Sequence, residues 1–261
     1  MKWLANLMVT SFLFFPEKDF YELPQNYGLA AEEVSLVTED ALRLHGWFFK
    51  ASPTKPILLF FHGNAGNISG RLFKAKGWVE RGVSVFLVDY RGYGKSEGKI
   101  QKAGDLLEDA RSALRWLEEN KNVSSNQIIL YGESIGSYPA TALASGKKFS
   151  GLVLEAPFTT LNELAKRHYG WVPDSALGDF QMNNDAAISK AQAPVFVLHG
   201  DQDEICPKEM GERLYELAPS PKEFYVVQEG AHNNLPQVAG SRYFDYPYEF
   251  LARENKFGAS S

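Results

Sequence analysis

The sequence has one cysteine and no stripe of basic residues, and both features limit what the protein can do. Its one cysteine, Cys206, has no second cysteine to pair with, so an intrachain disulfide is excluded. Such low cysteine usage is consistent with a reducing compartment, and we expect a cytoplasmic protein. The net charge is -5 and no basic stripe is present, which argues against nucleic acid as the main partner.

The sequence also lacks internal repeats, low-complexity tracts and a long apolar run. Residues 1–15 are rich in apolar and aromatic side chains, with Lys2 as their one charge. This run is too short to span a bilayer, and polar residues such as Asn6 and Thr10 interrupt it. No small-residue cleavage site follows closely, which argues against a signal peptide.

The apolar N-terminal segment has two interpretations. One helical stripe collects four of its large side chains, Leu4, Met8, Phe12 and Phe15. The segment is either a helix packed on its own domain or a second subunit, or a shallow membrane-surface anchor or active-site flap. We therefore divide the chain into an apolar segment, residues 1–20, and one large domain, residues 21–261. Peripheral membrane contact through residues 1–15 stays open, as does the choice between monomer and homodimer.

Strands and helices alternate along the large domain. Residues 33–38 and 42–49 predict an antiparallel hairpin. Buried apolar runs predict strands at 57–61, 83–88, 127–131, 151–154, 195–198 and 223–227. Helical patterns cover residues 68–81, 105–119, 207–217 and 246–253. This alternation indicates an α/β fold with a mostly parallel sheet covered on both faces, and such sheets bind ligands at the carboxyl ends of their strands.

A G-x-S-x-G sequence at residues 132–136 lies between a predicted strand and a small-residue run suited to a helix. A strand that turns sharply into a helix strains its middle residue and presents that side chain near a helix N-terminus. Glycine is needed on both sides because a Cβ atom there would collide with neighbouring backbone. The sequence therefore predicts Ser134 as a nucleophile.

A second G-x-S-x-G match at residues 94–98 shows that the pattern alone is weak. Ser96 is separated from its preceding strand by residues 89–93, and no helix start follows it. We interpret Ser96 as a loop residue. The same region contains a Gly-Lys-Ser sequence, but Asp89 stands where a phosphate-binding loop needs its first glycine.

A serine hydroxyl needs a base, and His232 is the best candidate because it follows the 223–227 strand. For the carboxylate that orients this histidine we prefer Asp203 to Asp201. A residue directly after the glycine of the strand tends to be buried in the turn, whereas one two places later can reach the histidine. Glu204 is a weaker third choice. The other histidines are expected to be structural or surface residues, namely His45, His62, His168 and His199.

An oxyanion hole requires backbone N–H groups aimed at the serine. Ile135, directly after the nucleophile, is one predicted donor. Asn64 is the second, in a loop that Gly63 and Gly66 allow to bend toward Ser134. The same loop is also typical of a glycine-rich turn in which Asn67 caps the next helix. The loop can supply an oxyanion donor and a helix cap at the same time.

These motifs together resemble an α/β-hydrolase of the serine esterase and lipase type, close to the ABHD-type membrane-associated serine hydrolases and bacterial carboxylesterases. Ser, Asp and His come in that family's order, and the matching pieces span residues 42–232. The resemblance implies Ser134, Asp203 and His232 as the catalytic triad, with Asn64 and Ile135 as oxyanion donors. It implies chemistry without a metal or cofactor.

In this fold a cap is commonly inserted before the strand that carries the acid. Here the insertion, residues 158–193, is short, so a long mobile lid is not expected. Its apolar side chains are candidates for an acyl wall or for holding the insertion onto the domain, namely Phe158, Leu161, Tyr169, Trp171, Val172 and Leu177. An apolar pocket with a small cap suits short to medium acyl esters.

We therefore expect a cofactor-independent carboxylic ester hydrolase that acts on a small-molecule ester through an acyl-enzyme. Three alternatives stay open. The first is a membrane-associated enzyme acting on lipids, such as an acyl-protein thioesterase or a monoacylglycerol lipase. The second is an amidase or peptidase on the same triad, and the third is a non-catalytic ligand-binding protein.

Overall fold

The computed structural model describes residues 13–171 and 173–257. The strands are β1 (Phe15–Pro16), β2 (Ala31–Val37), β3 (Arg43–Phe49), β4 (Ile57–Phe61), β5 (Ala65–Gly66), β6 (Ser84–Val88), β7 (Ile128–Glu133), β8 (Gly151–Glu155), β9 (Val195–Gly200) and β10 (Lys222–Val227). The α-helices are α1 (Leu72–Glu80), α2 (Ala103–Asn120), α3 (Ser137–Ala144), α4 (Leu161–Tyr169), α5 (Asn184–Ile188), α6 (Lys208–Leu217), α7 (Leu235–Ala239) and α8 (Arg242–Asn255).

An eight-stranded sheet forms the centre of the domain, in the order β10-β9-β8-β7-β4-β6-β3-β2. Pairing is parallel from β10 through to β6, whereas β3 pairs antiparallel with both β6 and β2. A separate small sheet joins β1 and β5 in parallel. This is the α/β-hydrolase fold predicted from the sequence, and the predicted hairpin is the β2–β3 pair.

Both faces of the large sheet are buried, which explains why its strands read as continuous apolar runs. In β4, Leu58 and Phe60 belong to one hydrophobic core, while Leu59 and Phe61 belong to the core on the opposite face. Burial of each such side chain stabilises the fold by about 1.5–3 kcal/mol. Helices α2, α3 and α6 cover one face, and α1, α7 and α8 cover the other.

Two predicted helices have different limits in the structure. The segment predicted as one helix at 68–81 begins with a 3₁₀ turn, Ile68–Arg71, before α1. The Asn67 side chain accepts the N–H of Ser69 and tightens this first turn, so the predicted cap is present. The C-terminal helix α8 starts at Arg242 instead of residue 246, and it contains Pro247. Burial of Tyr243 and Phe244 holds the extra turn in place.

The parallel strands bring the predicted chemical residues to one edge of the sheet. Ser134 directly follows β7, and Asn64 follows its neighbour β4. Asp203 follows β9, and His232 follows the adjacent β10. The short insertion between β8 and β9 contains α4, the 3₁₀ turn Asp174–Leu177 and α5, and it packs above this edge.

The first turns of the predicted N-terminal helix, residues 1–12, lie outside the described residues. Within the described ranges, none of the helices combines the length and apolar character that crossing a membrane requires.

Candidate active site

Ser134 occupies a strained turn between β7 and α3. Its φ is 52°, in the left-handed region that side chains other than glycine rarely adopt. A Cβ atom on Gly132 would lie 2.6 Å from the Gly136 carbonyl oxygen, and one on Gly136 would lie 2.1 Å from the Phe61 carbonyl oxygen. Gly132 therefore lets the turn fold back closely on the end of β7, and Gly136 lets it pack directly against the backbone of β4, as the sequence pattern predicts.

Gly136→Ala should lower the free energy of unfolding by about 3 kcal/mol, because the added methyl group overlaps a backbone oxygen that cannot rotate away. Gly70→Ala is the matched control, since nothing lies within 4 Å of a Cβ built there. The control should stay within about 0.5 kcal/mol of the wild type in urea denaturation. Equal stability of the two variants would contradict the close approach of this turn to β4.

The structure brings Ser134, His232 and Asp203 into one hydrogen-bonded chain. Asp203 Oδ2 lies 2.7 Å from His232 Nδ1, and His232 Nε2 lies 2.9 Å from Ser134 Oγ. An ionised carboxylate can only accept, so the Nδ1 proton of His232 points at Asp203. That tautomer leaves His232 Nε2 free to accept the proton of the Ser134 hydroxyl. The arrangement can therefore deprotonate the serine.

Asp203 is held as an anion. Burial raises the pKa of this carboxyl, but hydrogen bonds with His199 and His232 outweigh burial and bring the pKa down to about 2. Its other oxygen accepts the backbone N–H groups of Ile205 (2.9 Å) and Cys206 (2.8 Å), which fixes the plane of the carboxylate. Asp203 thus stays ionised through the neutral pH range.

Asp201, the alternative acid, has a different partner. Its Oδ1 accepts the N–H of Glu229 at 2.7 Å, which ties the loop after β9 to the loop after β10. The N–H of Gln202 donates to the Gly230 carbonyl at 2.8 Å and adds a second tie. Asp201 therefore supports the loop that carries His232 without contacting the imidazole.

His199 and Cys206 lie behind the Asp203 carboxylate. His199 Nε2 is 2.7 Å from the Cys206 carbonyl oxygen and 3.2 Å from Asp203 Oδ2, and its side chain is fully buried. Because both neighbours are acceptors, this nitrogen carries the proton. Burial and the Asp203 charge raise the pKa of the Cys206 thiol, so it is a packed neutral group rather than a thiolate.

Asn64 and Ile135, the predicted oxyanion donors, line the same cavity as Ser134. The cavity has a volume of about 620 Å³ and is mainly apolar. Of the predicted acyl wall, Phe158, Leu161 and Tyr169 line it, together with Leu177.

Trp171 does not join this wall, and that expectation is wrong. Its side chain is 84% exposed and is absent from the described lining of the cavity. Helix α4 ends at Tyr169, and Gly170 then takes a φ of 74° that redirects the chain. Val172, another predicted member of the wall, lies outside the described residues.

The polar end of the cavity contains a partly buried charge cluster that sequence reasoning missed. Glu133, next to the serine, lies 2.9 Å from Arg71 Nη2 and 3.0 Å from Lys74 Nζ, and Lys74 also pairs with Glu155. Burial raises the pKa of the Glu133 carboxyl, but the charges of Arg71 and Lys74 outweigh burial and hold the pKa well below its usual range. Tyr131 also donates its hydroxyl to Glu155.

The remaining histidines and Ser96 have the structural or surface positions expected of them. Ser96 is buried, accepts the N–H of His45 and donates to the Asp89 carbonyl. His62 is buried beside Asp89, with Nδ1 2.8 Å from the Gly63 carbonyl oxygen. His168 is exposed at the rim of the cavity, with Nε2 2.7 Å from the Ile205 carbonyl oxygen.

The chain is similar to known proteins both in sequence and in fold. The family model described as serine aminopeptidase S33 matches residues 52–189. An uncharacterized protein of Mycobacterium tuberculosis is 36% identical over 231 residues, covering 88% of this chain and 82% of its own. The alpha/beta hydrolase domain-containing protein WAV2 of Arabidopsis thaliana is 30% identical over 257 residues, covering 90% and 83%.

A solved structure, the esterase Pf2001 of Pyrococcus furiosus, superposes with a TM-score of 0.76 at 22% sequence identity. The superposition covers 92% of this chain and 98% of that esterase. At this identity the likeness extends to the fold, and the chemistry must be argued from the side chains at the edge of the sheet.

Proposed function

Since the chain belongs to the serine aminopeptidase S33 family of α/β hydrolases, we propose that it is a serine carboxylic ester hydrolase acting through an acyl-enzyme. The single observation that carries the proposal is the hydrogen-bonded chain from Asp203 through His232 to Ser134, with distances of 2.7 and 2.9 Å. These are the distances that a nucleophile, its base and an orienting carboxylate require before substrate binds.

In this mechanism Ser134 Oγ attacks the ester carbonyl carbon as its proton passes to His232 Nε2. Asp203 stabilises the resulting imidazolium and holds its orientation. The carbonyl oxygen becomes an oxyanion, which the backbone N–H groups of Ile135 and Asn64 stabilise. Collapse breaks the ester C–O bond, and the imidazolium protonates the leaving alcohol. Water, deprotonated by His232, then attacks the acyl-enzyme and releases the acid.

The cavity supports an apolar acyl group. Its walls beside Ser134 come from Phe158 and from α4, which contributes Leu161, Leu164 and Ala165. The insertion that carries α4 is anchored by Asn184, whose Nδ2 donates to the Ser137 hydroxyl and to the Phe158 carbonyl. A fixed wall limits the chain that fits, so we propose short to medium acyl groups.

An aminopeptidase activity is the main alternative, because the family model has that description. An α-ammonium group needs an unpaired carboxylate near the scissile bond, and among the described residues that line the cavity the acidic one is Glu133. Glu133 already pairs with Arg71 and Lys74. A third cation would be repelled by both, so this cluster favours an ester over a peptide with a free amino terminus.

Hydrolysis of p-nitrophenyl esters from acetate to palmitate tests this proposal, with an aminoacyl p-nitroanilide as the competing substrate. We expect turnover to peak between roughly four and ten acyl carbons. A peak at palmitate would favour a lipid-acting enzyme, and faster cleavage of the anilide would favour the aminopeptidase. Absence of turnover on all of these substrates would contradict the proposal.

Ala165→Trp should shift that peak to shorter acyl chains, because the indole would fill the wall formed by α4. We expect about a tenfold loss on octanoate with acetate changed less than about twofold. Ala186→Trp is the matched control, since Ala186 lies exposed in the same insertion and is not part of the cavity lining. An unshifted profile in Ala165→Trp would show that the acyl group binds elsewhere.

A further inference from the structure

Residues 13–19, which we call the strap, run alongside the loop that carries Asn64. The strap is joined to that loop by the parallel pairing of β1 with β5. The Phe15 N–H donates to the Asn64 carbonyl at 3.0 Å, and the Glu17 N–H donates to the Gly66 carbonyl at 3.1 Å. In return, the Asn64 side chain donates to the Leu13 carbonyl at 3.1 Å. Hydrogen bonds therefore join the strap and the loop in both directions, with donors on each of the two segments.

The strap is itself held in place by buried groups. Asn67 donates from its side chain to the carbonyls of Glu17 (3.0 Å) and Asp19 (2.8 Å). The Gly94 N–H also donates to Glu17. Phe14 is buried, with its ring 5.6 Å from that of Phe180. The strap is therefore a fixed part of the domain wall around the cavity.

The carbonyl oxygen of Asn64, to which the Phe15 N–H donates, accepts a second hydrogen bond. The Tyr93 hydroxyl donates to the Asn64 carbonyl oxygen at 2.7 Å, and its side chain is buried. Both lone pairs of this oxygen therefore have a donor, one from the strap and one from the loop after β6. Two donors on one carbonyl fix the plane of the peptide that follows Asn64.

The peptide that precedes Asn64 is oriented as well. His62 Nδ1 lies 2.8 Å from the Gly63 carbonyl oxygen. In a trans peptide the carbonyl and the following N–H point in opposite directions, so a fixed Gly63 carbonyl directs the Asn64 N–H away from His62. Because hydrogen bonds fix the peptide groups on both sides of Asn64, the direction of the Asn64 N–H is fixed as well.

We propose that the strap and Tyr93 together are the positioning element of the oxyanion hole, acting through the Asn64 carbonyl. This inference rests on the proposed function, in which the Asn64 N–H is one of the two oxyanion donors. Neither Tyr93 nor Phe15 touches the substrate in this role. Their loss moves the Asn64 N–H off its line to the developing oxyanion, which costs transition-state stabilisation and leaves ground-state binding in place.

Tyr93→Phe is the first test, made in the full chain with Tyr90→Phe as its control. Both side chains are buried, and Tyr90 donates to the neighbouring His62 carbonyl at 3.0 Å. We expect Tyr93→Phe to lower kcat about tenfold more than Tyr90→Phe, with KM within about twofold. The loss is smaller than the 10²–10³-fold of a deleted donor, because the N–H is displaced and not removed.

Phe15→Pro tests the strap in the same way. Proline removes the N–H that reaches Asn64, while the Phe15 side chain is 51% exposed and contributes little burial. Phe15→Ala is the matched control, because it removes the same ring and keeps the N–H. The proline variant should lose at least about five times more kcat than the alanine variant.

A trifluoromethyl ketone gives a readout that simple loosening of the fold would not produce. Ser134 Oγ adds to its carbonyl carbon, the carbonyl oxygen becomes an oxyanion and the proton moves to His232. The inhibition constant should rise in proportion to the loss of kcat/KM across the four variants. The midpoint temperature of thermal unfolding should fall equally in Tyr93→Phe and Tyr90→Phe, since each variant loses one buried hydrogen bond.

The outcomes separate this inference from the proposed function. Equal kcat in Tyr93→Phe and Tyr90→Phe, or in the two Phe15 variants, overturns the positioning role while Ser134-dependent turnover stands. An inhibition constant that is unchanged while kcat falls also overturns it. Wild-type turnover in Ser134→Ala overturns the proposed function and this inference together.

Discussion

Ser134→Ala should lower ester turnover on the order of 10⁴-fold or more while the protein stays folded. The hydroxyl supplies the bond to the acyl group, and no other hydroxyl is in hydrogen-bond contact with His232 in the described residues. Alanine keeps the Cβ atom and fits the same turn, so the strain at a φ of 52° is unchanged. The measurement is kcat on the best ester of the panel, with unfolding in urea measured beside it.

Ser96→Ala is the control for Ser134→Ala, because Ser96 lies in the second G-x-S-x-G sequence. The Ser96 hydroxyl joins the His45 N–H (2.9 Å) to the Asp89 carbonyl (2.8 Å) inside the domain. Its removal should cost about 1–3 kcal/mol of stability and leave kcat unchanged. Ser134→Ala should therefore lose activity and keep its stability, whereas Ser96→Ala should lose stability and keep its activity. A kcat loss in Ser96→Ala that matched Ser134→Ala would contradict the choice of nucleophile.

Asp203→Asn has the second-largest expected effect, a loss of about 10⁴-fold in kcat. The asparagine oxygen can still accept the N–H groups of Ile205 and Cys206, so its amide nitrogen faces His232. Because that nitrogen donates, His232 Nδ1 must become the acceptor and its proton moves to Nε2. The imidazole can then no longer accept the proton of the serine.

Asp201→Asn is the matched control for the acid. Asp201 lies two residues away and accepts the N–H of Glu229, a role that the asparagine oxygen can keep. We expect less than about a threefold change in kcat. A large loss in Asp201→Asn with a small one in Asp203→Asn would reverse the assignment of the two carboxylates.

Much of the fold was predictable because local pattern and burial agree. The strand β4 is apolar at every position and is buried at every position. Helix α2 keeps its apolar residues on one face, and the predicted 105–119 lies within the observed helix. The α5 and α7 helices were missed because each has only five residues, so tertiary contacts rather than periodicity define them. Helix α4 was missed although its nine residues are amphipathic. The Thr160 cap of α4, which accepts the N–H of Glu163, was the available signal.

The candidate site was predictable where chain order fixes position at the sheet edge, as it does for Ser134 and His232. The Glu133 cluster was not predictable, because the cations come from α1 and the 3₁₀ turn before it, and they meet Glu133 and Glu155 at the ends of β7 and β8 only in the folded domain. The strap was missed for the same reason, since its contacts with the loop after β4 join segments about 50 residues apart. Trp171 was wrongly placed in the cavity wall because its apolar character gives no information on the direction of the chain, which changes at Gly170.

The most direct test of the central claim is labelling of the protein with a fluorophosphonate, followed by mass spectrometry of its peptides. We expect one adduct, on Ser134, that forms faster than on free serine and is absent from Ser134→Ala. We also expect strong slowing of labelling in Asp203→Asn, since the activated hydroxyl is what reacts. An adduct on Ser96, or a wild-type protein that stays unlabelled while it hydrolyses esters, would contradict the account.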